Sequence, residues 1–186
     1  GRSVGVPGTV RMLELAHQKH GKLPWARLFD PAIALAESGF AVSPRLHASV
    51  AAMAPRIRAQ GGSIAQHFLT ADGQPLPVGT RLRNPALADT LRRVAQGGAD
   101  AFYRGDIAQA MARFAAQHGG ALTEADLAAH TAEWVTPIAQ AYAGHTLHEI
   151  PPNGQGIAAL MALGMLAHTD VAQLPADSVA AQHLQI

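Results

Sequence analysis

LPWARLFDPAIALAESGF, residues 23–40, carries the punctuation of a short helix at both ends. Asp30 is an N-cap residue type, and Pro31 behind it stands at the first helical position, where a missing N–H costs nothing. Gly39 stops the helix, because glycine relaxes freely into the turn that ends one. The same device recurs outward. Ser43-Pro44 opens a helix with Leu46, Val50 and Met53 at helical spacing, which Pro55 kinks or finishes. Asn84-Pro85 opens another with Leu87, Leu91 and Val94 on one face and Gly97 behind it. Upstream, Thr9 is expected to cap a helix carrying Val10, Leu13 and Ala16, ended at Gly21 by a left-handed turn.

Downstream, Ile107, Met111 and Phe114 mark a core stripe closed by Gly119-Gly120. Thr123 and Asp126 have the spacing of a capping box, with Asp in place of the usual Glu or Gln. Residues 63–69 add a short helix, and 71–79 (ADGQPLPVG) read as an exposed, turn-rich loop. One region reads as strand. In 137–150, PIAQAYAGHTLHEI, two short runs flank Ala143-Gly144; Ile138, Gln140 and Tyr142 alternate, and Thr146, His148 and Ile150 share a face. A last helix starts near Gln155, with Ile157, Leu160, Met161 and Gly164 on one face. The fold class is mainly α with one small β-hairpin or strand pair, and 1–186 reads as a single helical lobe.

Composition narrows the function. Hydrophobic residues make up 48%, enough for a buried core. Charged residues are only 15%, against roughly a quarter in ordinary domains, so little is available to solvate a full surface. Faces that lie against further protein account for that, as does alanine richness. The net charge is +1 with no basic stripe, which leaves nucleic acid no electrostatic footprint. No apolar run reaches the roughly 20 residues of a membrane span, and cysteine is absent, which removes disulfides and thiolate metal sites. GRSVGVPGTV lacks an initiating Met and a signal-peptide core, and the C-terminus stops within a helical pattern; both ends read as cut.

Several motifs invite chemistry and do not sustain it. Gly154, Gly156 and Ala159 form G-x-G-x-x-A between strand and helix, the setting of a dinucleotide site. The residues after Ala159 read as helix and then loop, without the second strand and acidic residue a ribose needs, so a structural turn is the better reading. Glu14, His17 and His20 recur on one helix, but no second helix offers matching ligands; a solvated face is expected, with His20 suited to the helix dipole. His145 and His148 point to opposite faces of a strand. No serine sits in a nucleophile elbow. Trp25 and Trp134 are expected to pack, and Asp100 and Asp106 to cap helices around the glycine turn after Phe102-Tyr103-Arg104. The residues themselves offer no catalytic, cofactor-binding or metal site.

With these motifs laid out in order, the chain resembles the large subunit of gamma-glutamyltranspeptidases. Val6-Pro7-Gly8, then Gly21-Lys22-Leu23-Pro24-Trp25, is similar to the segment after that family's first core strands. Residues 31–40 are similar to its PAI-x-LA-x-x-GF stretch. Asn84-Pro85, Leu87-Ala88, Leu91, Phe102-Tyr103-x-Gly105, residues 123–127, Trp134 to Pro137, Tyr142, and Pro151-Pro152 with Gly154-x-Gly156 continue the series. The resemblance implies an N-terminal-nucleophile hydrolase with a four-layer αββα core, this chain being the mainly helical portion outside the sheets, with residues 142–150 returning toward them. It implies a self-cleaving precursor whose exposed Thr attacks the gamma-glutamyl carbonyl, its own amino group serving as base, with glutathione as usual donor.

That threonine, the donor-binding arginine and the pocket serines and glycines belong outside residues 1–186, so no catalytic residue is carried over. Expected partners are the rest of the large subunit, the small subunit and a small gamma-glutamyl substrate, in the periplasm or secreted, with no cofactor. Two other readings stay open: a side-chain acylase of the same superfamily, and an inert helical interaction fragment that self-associates through bare surfaces.

Overall fold

The computed structural model describes residues 2–186, and the chain falls into two units, Gly1–Ala132 and Glu133–Ile186. The first unit is helical. Helix α1 (Thr9–His20) leads through a 3-10 turn (Trp25–Leu28) into α2 (Asp30–Ser38), strand β1 (Phe40–Ala41), α3 (Pro44–Gln60) and α4 (Gly62–Phe68). Strand β2 (Arg81–Leu82), α5 (Pro85–Gly97), α6 (Asp100–Tyr103), α7 (Asp106–Gln117) and α8 (Glu124–Ala129) complete it.

Local chemistry sets most of these starts. Ser43 Oγ accepts the Leu46 N–H at 3.1 Å and Asn84 Oδ1 the Leu87 N–H at 2.9 Å, each just before a first-turn proline. At α8 the capping box is complete: Thr123 Oγ1 accepts the Asp126 N–H and Asp126 Oδ2 accepts the Thr123 N–H. Two starts differ from expectation. The 3-10 turn already delivers a helical Phe29 to the front of α2, so Asp30 lies inside the helix and its carboxylate takes Arg27 Nε at 2.8 Å. Gly8, not Thr9, occupies the cap position of α1, without a side-chain bond. Gly21 ends α1 in an extended conformation, φ −64° and ψ 138°, rather than a left-handed one. A β-carbon there would collide with the His17 ring, so the glycine serves close approach.

Helix α3 runs through Pro55 for another turn to Gln60. Proline removes one hydrogen bond, but Ala54 and Ile57 on either side of it enter a core with Val50 and Leu69, and that burial holds the far turn. The Pro55 ring itself is exposed. Pro55→Ala should therefore stabilise the first unit by about 1–2 kcal/mol after the unfolded-state entropy that proline removes is discounted; an unchanged or lower urea midpoint of that unit, read by Trp25 fluorescence in a Trp134→Phe background, would show that the helix relies on the proline.

A second strand pair was not expected. Phe40 pairs with Leu82 and Ala41 with Arg81, and Val42 N–H donates to the Thr80 carbonyl at 2.8 Å, closing the 71–79 loop. Buried lines also differ from those of the large residues. Ala54 and Ala88 are buried where the sequence-level stripes named Met53 and Leu87, because helices approach closest at alanine. Phe114, named for the α7 core stripe, is 61% exposed and stacks on His118, while Ala108 takes the buried place with Tyr103, Leu127 and Ala99.

In the second unit β3 (Ile138–Tyr142) and β4 (His145–Glu149) form the expected antiparallel hairpin, Ile138 opposite Glu149 and Tyr142 opposite His145. Ala143 (φ 47°) and Gly144 (φ 78°) give the two positive-φ residues of its tight turn. Helix α9 (Gly156–Leu166) packs on the hairpin, and α10 (Val179–Gln185) ends the unit, capped by Ser178. Leu160 of α9 is buried, whereas Met161, expected on the same face, is exposed. Trp134 is 53% exposed rather than packed into a core.

Candidate functional site

A polar cluster of the first unit surrounds Tyr103, whose side chain is fully buried. Its hydroxyl donates to the Pro7 carbonyl at 2.5 Å and accepts the Arg11 N–H at 3.2 Å. Arg11 is the third residue of α1, so its amide is one of the donors a helix leaves orphaned. The hydroxyl of a residue 92 positions away thus caps the helix that Thr9 does not. The favour is returned, because Glu14 of α1 accepts the N–H of Ala99, the cap residue of α6, at 2.7 Å.

Arg11 locks the pair together. Its guanidinium donates to Glu14 at 3.0 Å and to Asp100 at 2.6 Å and lies 4.9 Å from the centre of the Tyr103 ring. Desolvation pulls the guanidinium pKa down, but hydrogen bonds and attraction from Asp100 and Glu14 hold it above its ordinary value. The Arg11 hydrogen bond holds the Asp100 carboxyl below the usual carboxylate range. The terminal nitrogens of Arg11 and the Tyr103 hydroxyl bond partners within the protein, while the buried Arg11 Nε has none, and the cluster anchors Val6-Pro7-Gly8.

Other candidates from the sequence separate or pair off. Glu14 is engaged as described, and the His17 ring bonds the Leu23 carbonyl at 2.8 Å, so Glu14, His17 and His20 do not converge. Glu14 is accordingly no part of a solvated face, and among the described residues no three histidines or carboxylates gather as metal ligands. Asp106 forms an ion pair with Arg93 instead of a cap, as Asp100 does with Arg11. Gly105 makes the glycine turn between them, φ 72°. Trp25 packs as expected, its indole N–H on the Val94 carbonyl at 3.0 Å and its ring edge-on to Phe29.

Gly156 of the G-x-G-x-x-A stretch opens α9 beside Glu149, whose carboxylate a β-carbon at Gly156 would strike. A carboxylate at that helix start repels a pyrophosphate, and no third strand joins the hairpin among the described residues. The Tyr103 anchor escapes a reading of the sequence, although Phe102-Tyr103-x-Gly105 stands out there as a motif. An apolar groove of about 520 Å³ escapes it as well, lined by Val4, Pro7, Met111, Phe114 and Leu122.

The model of the family described as gamma-glutamyltranspeptidase matches residues 1–186. The chain belongs to the gamma-glutamyltranspeptidase family. It is 33% identical to the glutathione hydrolase proenzyme of Escherichia coli (strain K12), covering 90% of this chain and 29% of that protein. The crystal structure of Helicobacter pylori gamma-glutamyltranspeptidase is similar at a TM-score of 0.89 and 28% identity, over 99% of this chain and 53% of that one. The cephalosporin acylase of Bacillus halodurans is similar at a TM-score of 0.85 and 36% identity, over 97% of this chain and 34% of that one. The chain spans about a third or less of the length of the curated relatives it matches.

Proposed function

We propose that residues 1–186 are the helical scaffold of a gamma-glutamyltransferase or glutathione hydrolase, an internal part of its large subunit. The observation that carries the reading is a helical architecture that matches a gamma-glutamyltranspeptidase over nearly the whole of this chain yet only half of that one. The hydrogen bonds that tie Tyr103 and Arg11 to α1 and Pro7 support reading that cluster as an anchor within the scaffold. In this reading the nucleophilic threonine is exposed by self-cleavage in polypeptide outside these residues, and the gamma-glutamyl group passes through a covalent acyl-enzyme to water or an amine. The partners are the rest of the large subunit and the small subunit, and the compartment is the periplasm or the cell exterior.

The test is the product of the uninterrupted reading frame. It is expected to split into two polypeptides, the shorter beginning with threonine, and to release glutamate from glutathione. The 186-residue chain alone is expected to leave a gamma-glutamyl anilide uncleaved. An acylase reading has its own support in the Bacillus halodurans neighbour and in the acylase ACY 1 proenzyme of Pseudomonas sp. (strain SE83), 34% identical over 98% of this chain. A cleaved product that ignores glutathione and hydrolyses a glutaryl amide would decide for it.

A further inference from the structure

Asn153-Gly154 is the one Asn-Gly step in the chain, and Gly154 is the first glycine of the G-x-G-x-x-A stretch. Neither backbone strain nor crowding calls for a glycine there. Its φ lies outside the left-handed region, and a β-carbon would meet only Ile150 Cδ1, at 3.8 Å. What the missing side chain does leave is open access to the backbone nitrogen. An asparagine carries its amide carbon within reach of the next residue's nitrogen, so an uncrowded, unbonded nitrogen can close a ring on it.

The fold sets this step apart from its two nearest equivalents. Asn84, the other asparagine, precedes Pro85, which has no N–H to lose, and its Oδ1 accepts the Leu87 N–H at 2.9 Å. Asp72-Gly73, the one Asp-Gly step, is tied down. The Gly73 N–H donates to the Thr70 carbonyl at 2.9 Å, and the Asp72 carboxylate accepts the Thr70 hydroxyl. Asn153 and Gly154, by contrast, are both exposed in the turn that leads into α9. Among the described residues no acceptor meets the Gly154 N–H, and no partner meets the Asn153 side-chain amide, in hydrogen-bond geometry.

We propose that Asn153 is a self-modification site, converted to aspartate and isoaspartate through a cyclic imide formed with the Gly154 nitrogen. That nitrogen gives its proton to hydroxide and attacks Cγ of Asn153, forming an N–Cγ bond. The Cγ–Nδ2 bond breaks, and Nδ2 leaves as ammonia with a proton from water. A second water then opens the imide. Cleavage of N–Cγ leaves aspartate; cleavage of the original peptide bond leaves isoaspartate, with the chain running through Cγ. One water is consumed and one ammonia released, no oxidant is needed, and the formal charge falls from +1 to zero. Isoaspartate also adds a methylene to the backbone between β4 and α9, where the Glu149 carboxylate already lies beside Gly156. None of this depends on the scaffold reading.

The 186-residue chain is held at mildly alkaline pH, natively and in urea, and each site is compared with itself. Peptides are separated by charge for Asn153 and by retention at unchanged mass for Asp72. Asn153 is expected to convert natively within about threefold of its rate in urea, whereas Asp72 isomerises about tenfold or more slowly natively, where reaction waits on local opening. Gly154→Ala, whose methyl the turn has room for, should slow Asn153 about tenfold or more by crowding the attacking nitrogen. Asn153→Gln should abolish the gain of charge. A larger native deficit at Asn153 overturns the proposal, because the fold then withholds the nitrogen. So does an undiminished rate in Gly154→Ala, which means direct hydrolysis by water. Equal native and urea rates at Asp72 overturn the selectivity ascribed to the fold, and charge still gained in Asn153→Gln places the chemistry elsewhere.

Discussion

Gly39→Ala should unfold the first unit's ribbon at markedly lower urea, with a loss of about 3 kcal/mol, the upper end for a side chain forced into glycine-only backbone space. Gly39 stands at φ 78° and ψ 168° between α2 and β1. A β-carbon there would also lie 2.7 Å from the Leu82 carbonyl oxygen and 2.6 Å from Cγ of Arg83. Backbone on one side cannot yield without breaking the Phe40–Leu82 pairing. The arginines are fixed too, Arg81 donating to the Ser38 and Gly39 carbonyls at 3.1 Å and Arg83 to Ser38 at 3.2 Å.

Gly61→Ala separates the causes. It also carries a positive φ, 63°, but meets nothing within 4 Å, so strain alone acts and the loss should be about 1–2 kcal/mol. With two units, a single global midpoint is not a defined quantity. Trp25 fluorescence in a Trp134→Phe background reports on the first unit alone. At a slope of about 2 kcal/mol per molar urea the midpoint should fall by roughly 1.5 M for Gly39→Ala. Equal losses at Gly39 and Gly61 would remove the collision from the account.

What was legible in the sequence was local. Ser43-Pro44, Asn84-Pro85 and Thr123 with Asp126 declare their helices because donor and acceptor lie three residues apart, and Gly144 between two strand-like runs declares the hairpin because its turn needs positive φ, which Ala143 adopts without signalling it. The β1–β2 ribbon was not legible, since two residues per strand show no alternation, and Gly39 looks like any other helix stop. Buried faces were misread where alanine makes the contact: Ala54, Ala88 and Ala108 give no hydrophobic signal beside Met53, Leu87 and Phe114. The anchor at Tyr103 was illegible because its partners lie 92 and 96 residues away. The family was legible from ordered motifs, because their order along the chain carries the signal that no single motif does.

Tyr103 is where the second large loss is expected. Tyr103→Phe keeps the ring in its place beside His130 and under Arg11 but removes the hydroxyl. The Pro7 carbonyl and the Arg11 amide then both lose a partner in a partly buried setting, a cost of about 1–3 kcal/mol. Tyr103→Ala adds a cavity among Ala99, Ala108 and Leu127 and should cost about 3–5 kcal/mol. The ratio of the two losses divides the residue between cap and core. Because the hydroxyl holds the chain at Pro7, Tyr103→Phe should also expose residues 2–8 to limited proteolysis well below its unfolding midpoint. If cleavage there stays at the wild-type rate while global stability falls, the hydroxyl stabilises α1 without tethering the segment before it. If neither changes, the two hydrogen bonds contribute nothing, and the Arg11–Asp100 ion pair, the Glu14–Ala99 hydrogen bond and apolar packing hold α1 to α6.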